Sequence, residues 1–262
     1  MSPSADGALL TLIRDLGRRR GRERRGLALA EGVRLVEEAV ASGVPIRGAA
    51  VSSALEGTPR GTALKSALTA AGIRLIAVGP AELEALSDTE HPQGIVAVVE
   101  PRAWSLEDIA TPAGSVLLVL DAVQDPGNVG TMLRTALALG AAGIVALPGT
   151  AELANPKVLR GSMGAAFRLP AAAADPAALL AWVEARGIEL LVAAADGVPV
   201  SRRSRSGRPP LALVVGNEGA GVGPILASAA RTRVGIPLAP GVESLNVAVA
   251  AGILLYEVLR DA

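Results

Sequence analysis

Val116-Leu117-Leu118-Val119-Leu120 is a run of five apolar residues with no polar alternation. A strand of that kind has both faces covered, as inside a parallel sheet flanked by helices. The rest of the chain carries the matching pattern. Short apolar runs predict further strands at 27–29, 49–51, 73–78, 95–99, 144–147, 188–194, 211–215 and 234–236. Helical spacing predicts helices over 31–41, 62–71, 80–86, 128–139, 177–185 and 244–259, with Gly43, Gly72 and Gly140 as stops. Alternation of this sort is α/β class. Residues 101–114 hold two prolines, Pro101 and Pro112, and interrupt the pattern. The expected organisation is a basic segment at 1–26, a small α/β domain at 27–105 and a larger α/β domain at 113–262.

Half of the 262 residues are apolar but only 2% are aromatic. The core must therefore be built from Ala, Val, Leu and Ile. There is no cysteine, which excludes disulfides, Cys–zinc sites and a thiolate nucleophile. His91 is the single histidine, so a His-based metal site is not expected. No apolar run reaches the roughly 18 residues of a membrane span. The N-terminus lacks a signal-peptide core, and a cytoplasmic protein with no membrane partner is expected.

The formal net charge is zero, yet its distribution is uneven. Of 25 basic residues only Lys65 and Lys157 are lysines. Seven arginines lie between Arg14 and Arg25, against Asp15 and Glu23. A second run holds Arg202, Arg203, Arg205 and Arg208. Solvated faces explain either run alone. Two of them in a neutral chain favour a phosphate-bearing partner, because the guanidinium fork matches phosphate. The scarcity of aromatics argues against base stacking on Phe, Tyr or Trp.

Four constellations stand out. In the first, a strand ends at Leu120, a polar loop follows, and a helix starts near Asn128, which suits an N-cap. Arg134 lies further along that helix among apolar neighbours, so burial near the loop is one reading and a solvated face the other. The second is Gly216-Asn217-Glu218-Gly219-Ala220-Gly221-Val222-Gly223, where four glycines permit close backbone approach to a ligand. It has neither the dinucleotide spacing nor a phosphate-loop Gly-Lys-Ser/Thr. The third joins Ile236-Pro237-Leu238 to Glu243-Ser244-Leu245-Asn246 at the mouth of an apolar helix, which Ser244 is placed to cap. That helix is apolar almost all round. Burial within its own domain and cover by a second subunit fit equally. The fourth puts Lys157 and Arg160 on one face of a short helix, for phosphate contact or for solvent.

Taken together, these pieces resemble the SpoU (TrmH-like) family of RNA ribose 2′-O-methyltransferases, within the SPOUT superfamily. The first family motif is Asn128-x-Gly130-x-x-x-Arg134-x-Ala136. The second is Gly216-Asn217-Glu218-Gly219-x-Gly221. The third runs from Ile236-Pro237-Leu238 to Glu243-Ser244-Leu245-Asn246-Val247-x-Val249-Ala250. Ala248 stands where Ser is usual. The match spans about residues 116 to 260. The N-terminal part is similar to the family's RNA-binding domain at Glu31-Gly32 and Pro92-Gln93-Gly94.

The resemblance implies a parallel-sheet α/β SPOUT domain with a C-terminal trefoil knot, preceded by a small α/β RNA-binding domain. It implies a homodimer and S-adenosyl-L-methionine as cofactor. Gly216, Asn217, Gly221, Ile236, Leu238 and Leu245 would hold that cofactor. Asn128, Arg134, Glu218, Ser244 and Asn246 match the family's catalytic polar positions. The implied reaction is methylation of a ribose 2′-hydroxyl in RNA, with ribosomal RNA the first choice and transfer RNA the second. A guanidinium holds its proton far too tightly to serve as an effective base. Arg134 is therefore expected to stabilise the forming alkoxide and clamp a phosphate, with Asn128 and Ser244 positioning it. The competing readings are a non-catalytic RNA-binding or ribosome-assembly factor on the same fold, and a dinucleotide-type enzyme, which the missing fingerprint disfavours.

Overall fold

The computed structural model describes residues 5–200 and 208–260, so Arg202, Arg203 and Arg205 lie outside the described residues. The described chain forms two compact units. The first comprises the residues up to Ala103 together with Ala154–Phe167, and the second Trp104–Leu153 together with the residues from Arg168 onward.

The first unit begins with α1 (Ala5–Leu16) and α2 (Arg19–Arg25), so the N-terminal Arg-rich run is helical. Ile13 and Leu16 of α1 are fully buried. Arg22 is also buried, at 5% exposure, and donates to the carbonyls of Leu16 and Gly17 at 2.9 and 3.2 Å. It thereby satisfies carbonyls at the end of α1 that have no helical partner. Gly21 is required at this corner, because a Cβ would fall 2.0 Å from the Asp15 carbonyl oxygen. Arg24 and Arg25 both pair with Asp15.

The chain continues through β1 (Ala28–Glu31), α3 (Val33–Ala41), β2 (Ile46–Val51), α4 (Pro59–Ala70), β3 (Leu75–Ala77), α5 (Pro80–Leu86) and β4 (Ile95–Val99). The sheet order is β1-β4-β2-β3. β4 runs antiparallel to β1 and β2, while β2 and β3 are parallel. The helix expected to start at Glu31 starts two residues later, because Glu31 still pairs with Val96 in the sheet.

The second unit opens with β5 (Val116–Leu120), α6 (Pro126–Leu139) and β6 (Gly143–Ala146). Next comes α7 (Pro156–Ser162), which returns to the first unit. There Leu159 and the following Phe167 join the core with Leu35, Val36 and Ile95. The chain then resumes the second unit with β7 (Ala171–Ala173), α8 (Pro176–Ala185), β8 (Glu189–Pro199), β9 (Leu211–Val215), α9 (Pro224–Ala229), β10 (Thr232–Gly235) and α10 (Val247–Leu259). The order is β10-β8-β9-β5-β6-β7, and every pairing is parallel. All ten residues of β5 and β9 are buried, as their unbroken apolar runs require. From β5 the chain builds outward through β6 and β7, then crosses to β8 and β9 on the other side. The carboxyl ends of β5 and β9 thus flank a topological switch point, where open α/β sheets form ligand crevices.

Candidate active site

Both strands at the switch point end in the polar loops singled out above. After β5, the Asp125 carboxylate accepts from the Asn128 backbone N–H at 2.7 Å and caps α6, with Pro126 in the first turn. Asn128 is therefore not the cap that its sequence context suggests. The cap lies three residues earlier, so Asn128 stands inside the first turn with its amide free. That amide donates to Glu218 Oε1 at 3.1 Å. Its oxygen accepts from the Asn246 side chain at 3.0 Å.

Asn246, not Ser244, caps the last helix. Its Oδ1 accepts from the N–H groups of Ala248 and Val249 at 2.9 and 3.3 Å. The helix begins at Val247, and Ser244 stays in the preceding loop, where it lines a cavity.

The loop after β9 is held by Asn217. Its backbone pairs both ways with Gly221 at 2.9 Å. Its Oδ1 accepts from Gly219 and Ala220, and its amide reaches the Ala122 carbonyl, each at 3.0 Å. The side chain is thus engaged in building the loop. A Cβ on Gly216 would fall 2.1 Å from the Gly221 carbonyl carbon, so the glycine is what lets the loop fold back on its strand. Asp121, which the motif reading passed over, accepts from the Gly223 N–H at 2.7 Å and ties the two loops together. An acidic residue directly after β5 was the available signal.

The Glu218 carboxyl is held below the usual carboxylate range. Burial raises its pKa, but hydrogen bonds from its own backbone N–H, the Asn128 amide and the backbone of Gln124 and Asp125 outweigh that. The group is an anion at neutral pH and accepts hydrogen bonds.

Beside this linkage lies a cavity of about 190 Å³. Small residues at 193–195 of β8, together with Gly216 and Gly235, form one side. Ile236, Leu238 and Leu245 form another, and Glu218, Glu243 and Ser244 supply side-chain oxygens. No described residue hydrogen-bonds the backbone of Ile236, Leu238 or Leu245. The cavity therefore offers apolar walls with free amide edges, which suits a flat heterocycle recognised through main-chain groups. Among the described residues there is no cluster of three or more His, Cys, Asp or Glu side chains able to hold a metal.

Comparison with known proteins places this geometry. The SpoU rRNA Methylase family model matches residues 115–256, more than half of the chain. The chain belongs to the SpoU rRNA methylase family. The MRM3-like substrate binding domain model matches residues 10–97. The 23S rRNA (guanosine(2553)-2′-O)-methyltransferase RlmP of Bacillus subtilis is 38% identical over 229 residues, covering 87% of this chain and 86% of that one. A 23S rRNA (uridine(2479)-2′-O)-methyltransferase of Streptomyces viridochromogenes is 34% identical over 252 residues, covering 94% and 87%. Among solved structures, the SpoU methyltransferase AviRb of Streptomyces viridochromogenes in complex with AdoMet superposes with a TM-score of 0.85 at 33% identity, covering 96% of this chain and 97% of that one.

Of the SpoU family positions, the fold brings together Asn128, Glu218, Asn246 and Ser244, with Gly216, Asn217, Gly221, Ile236, Leu238 and Leu245 around the cavity. Arg134 is the exception. It is exposed on α6, has no partner among the described residues and does not line the cavity. Its apolar sequence neighbours Leu133 and Ala136 point into the core instead. Arg160 also departs from the sequence reading. It is occupied by the carboxylates of Glu31 and Asp88 within the first unit and is not free for phosphate. The last helix is not buried all round. Ala248, Ala251, Leu254, Leu255 and Val258 face the core, while Val249, Ile253 and Tyr256 are 51%, 40% and 46% exposed along one stripe.

Proposed function

We propose that this protein transfers the methyl group of S-adenosyl-L-methionine to a ribose 2′-hydroxyl of RNA, with ribosomal RNA the first choice and transfer RNA the second. The observation that carries the reading is the Glu218–Asn128–Asn246 linkage at the edge of a cavity with free main-chain edges. Family membership and the 2′-O-methyltransferase activity named for the relatives support it.

The cavity fits the cofactor. Ile236, Leu238 and Leu245 would hold its adenine through the backbone, Gly216 and Gly221 would let the chain pass close to it, and Asn217 would hold the loop in shape. When bound, the cofactor supplies a methyl group on a positively charged sulfur. The ribose 2′-oxygen would receive that methyl group, the thioether would leave with the electron pair of the broken C–S bond, and the hydroxyl proton would pass to water. Opposite charges are neutralised in that step, so positioning dominates, worth up to roughly 7–11 kcal/mol in ideal cases. Glu218 and Asn128 fix the loop geometry, and Ser244 and Asn246 complete the site at the start of α10. Arg134 stabilises the forming alkoxide and grips the adjacent phosphate.

An exposed Arg134 needs an acceptor brought to it. The stripe of Val249, Ile253 and Tyr256 lies on α10, which packs against α6. We infer a homodimer in which this stripe is covered by a second copy and Arg134 of one subunit serves the cavity of the other. The C-terminal segment from β9 to α10 is assigned as the trefoil knot, in keeping with the loops after β9 and β10 that line one cavity. No helix among the described residues is long and apolar enough to cross a membrane. An RNA substrate sets the place of work in the cytoplasm.

The test is methyl incorporation from labelled cofactor into 23S rRNA and transfer RNA, with mass-spectrometric mapping of the modified ribose. Incorporation into a single rRNA position is the expected result. Calorimetric binding of the cofactor with no incorporation into either RNA would mark the chain as a non-catalytic factor.

A further inference from the structure

A second cavity, of about 240 Å³, opens within the first unit. It is formed by the start of α3, the segment 89–93 and α7. At its floor Glu31 is buried at 5% exposure. Its carboxylate pairs with Arg160 at 2.9 Å and accepts from the Thr89 hydroxyl at 2.5 Å and the Asp88 N–H at 3.2 Å. Arg160 also reaches Asp88 at 3.2 Å. These groups satisfy one another, so the floor is a fixed framework and not a free charge.

The rim is different. Arg34 and His91 are exposed, and neither has a hydrogen-bond or ion-pair partner among the described residues. Gln93 has one. Its Oε1 accepts from the Val33 N–H at 3.2 Å, the first N–H of α3. That bond fixes the amide orientation and leaves the two N–H donors of Gln93 facing outward. Gly32 keeps the arrangement open, with φ at +91° and room for a Cβ only 3.0 Å from the Gln93 oxygen. Leu35 and Met163 add apolar wall.

Charge decides the ligand class. Arg34 and Arg160 balance Glu31 and Asp88, so the cavity is not an anion trap. It offers apolar surface, one oriented amide donor, and two planar side chains at the rim. Single-stranded RNA is read by this combination, with unstacked bases hydrogen-bonded on their edges and stacked on His or Arg planes. We propose that the cavity takes one unpaired nucleotide of the RNA substrate, distinct from the methylated one. The base lies against Leu35 and Met163, the Gln93 amide donates to its edge, and Arg34 meets its phosphate. The proposal rests on the RNA reading above and assigns to the first unit a base-reading role that the scarcity of aromatics hides.

The full-length protein is photo-crosslinked to fragments of 23S rRNA carrying 4-thiouridine, and the crosslinked peptides are mapped. Crosslinks at 89–93 or 160–163 are expected. Gln93→Met is expected to weaken single-stranded RNA binding about tenfold with an unchanged salt slope, as for a lost base contact. Arg34→Gln is expected to weaken it and lower the salt slope by about one, as for a lost phosphate contact. Cofactor affinity should stay at its wild-type value in both and Tm in Arg34→Gln, whereas Gln93→Met also loses the acceptor for the Val33 N–H and should melt slightly lower. Gln93→Glu, which keeps the acceptor for Val33 and removes the donors, separates base reading from a structural role by losing RNA affinity without losing Tm, the loss persisting at high salt where the added charge is screened. Binding by all three variants within twofold of wild type, or crosslinks confined to other segments, would overturn the proposal. Failure of the methyltransferase reading would look different, as crosslinks at this cavity with no methyl transfer.

Discussion

The side-chain amide of Asn246 donates to Asn128 Oδ1 at 3.0 Å, across 118 positions of sequence. The same Asn246 caps α10 with its oxygen. One residue thus sets the start of a helix and the orientation of a second amide. Because Asn128 Oδ1 is occupied, its N–H groups must face Glu218. Three loops, following β5, β9 and β10, are locked into one arrangement by two hydrogen bonds.

Substitution at Asn246 should separate cap from linkage. Asn246→Ala removes both and is expected to cost about 1 kcal/mol, the typical value of an N-cap. Asn246→Asp keeps the cap but cannot donate to Asn128. Its Tm should stay near wild type while kcat for methyl transfer falls at least tenfold. Thermal melts alongside single-turnover assays check this. Equal activity in Asn246→Asp and wild type would remove the linkage from the mechanism.

The depressed pKa of Glu218 gives a pH signature. A carboxylate favoured by the fold stabilises it fully above the ordinary Glu value of about 4.3. That contribution is lost as pH falls through the lower folded value. The Tm gap between wild type and Glu218→Gln should be constant from pH 7 to 5 and close below about pH 4. A gap that widened on acidification would reverse the assignment.

Arg134 is exposed and unpaired among the described residues, so Arg134→Ala should change stability by less than about 0.5 kcal/mol. Methyl transfer should nevertheless fall by about two orders of magnitude, as when one donor to a developing oxyanion is lost. The pH–rate profile of Arg134→Lys tests the role further. Low activity without a new inflection is expected, and near-full activity with an inflection at the Lys pKa would make the residue a base. The proposed dimer, with Arg134 of one subunit serving the cavity of the other, is tested in mixed dimers, where Arg134→Ala subunits should then complement Glu218→Gln subunits.

Arg160→Ala should be among the most damaging substitutions in the first unit. Glu31 is 4% exposed at its side chain and would be left without its cation. Leaving a buried carboxylate without its cation costs up to about 3 kcal/mol, less here to the extent that Arg160 is 26% exposed. Glu31→Gln in the same background should recover much of that loss, measured by urea denaturation of single and double variants.

The sheet architecture was readable because the apolar run of β5 admits one environment, covered on both faces. The order of Asn128, Gly216 to Gly221 and Ile236 to Asn246 was equally legible, since each follows an apolar strand. The identity of the helix caps was not. Asn128 and Asp125 are both good N-cap residues, as are Ser244 and Asn246, and local propensity does not choose between them. The choice is made by what the side chains meet across the fold, Glu218 in one case and Asn128 in the other. The path of α7 was hidden for the same reason. Nothing in residues 154–167 marks them as belonging to the first unit, and the partners of Arg160, Glu31 and Asp88, lie 129 and 72 positions away.

Local pattern was thus enough to specify an α/β chain with two Arg-rich runs, no thiol chemistry and three glycine- or proline-bearing loops at strand ends. Those properties depend on residues close in sequence, so they are written there. Three-dimensional packing decided which amide caps and which reaches, that Arg134 faces outward, that Arg160 is occupied internally and that α10 keeps one bare apolar stripe. Each of these is a competition for a partner far away in the chain, and such competitions are resolved only when the strands have brought the partners within hydrogen-bond distance.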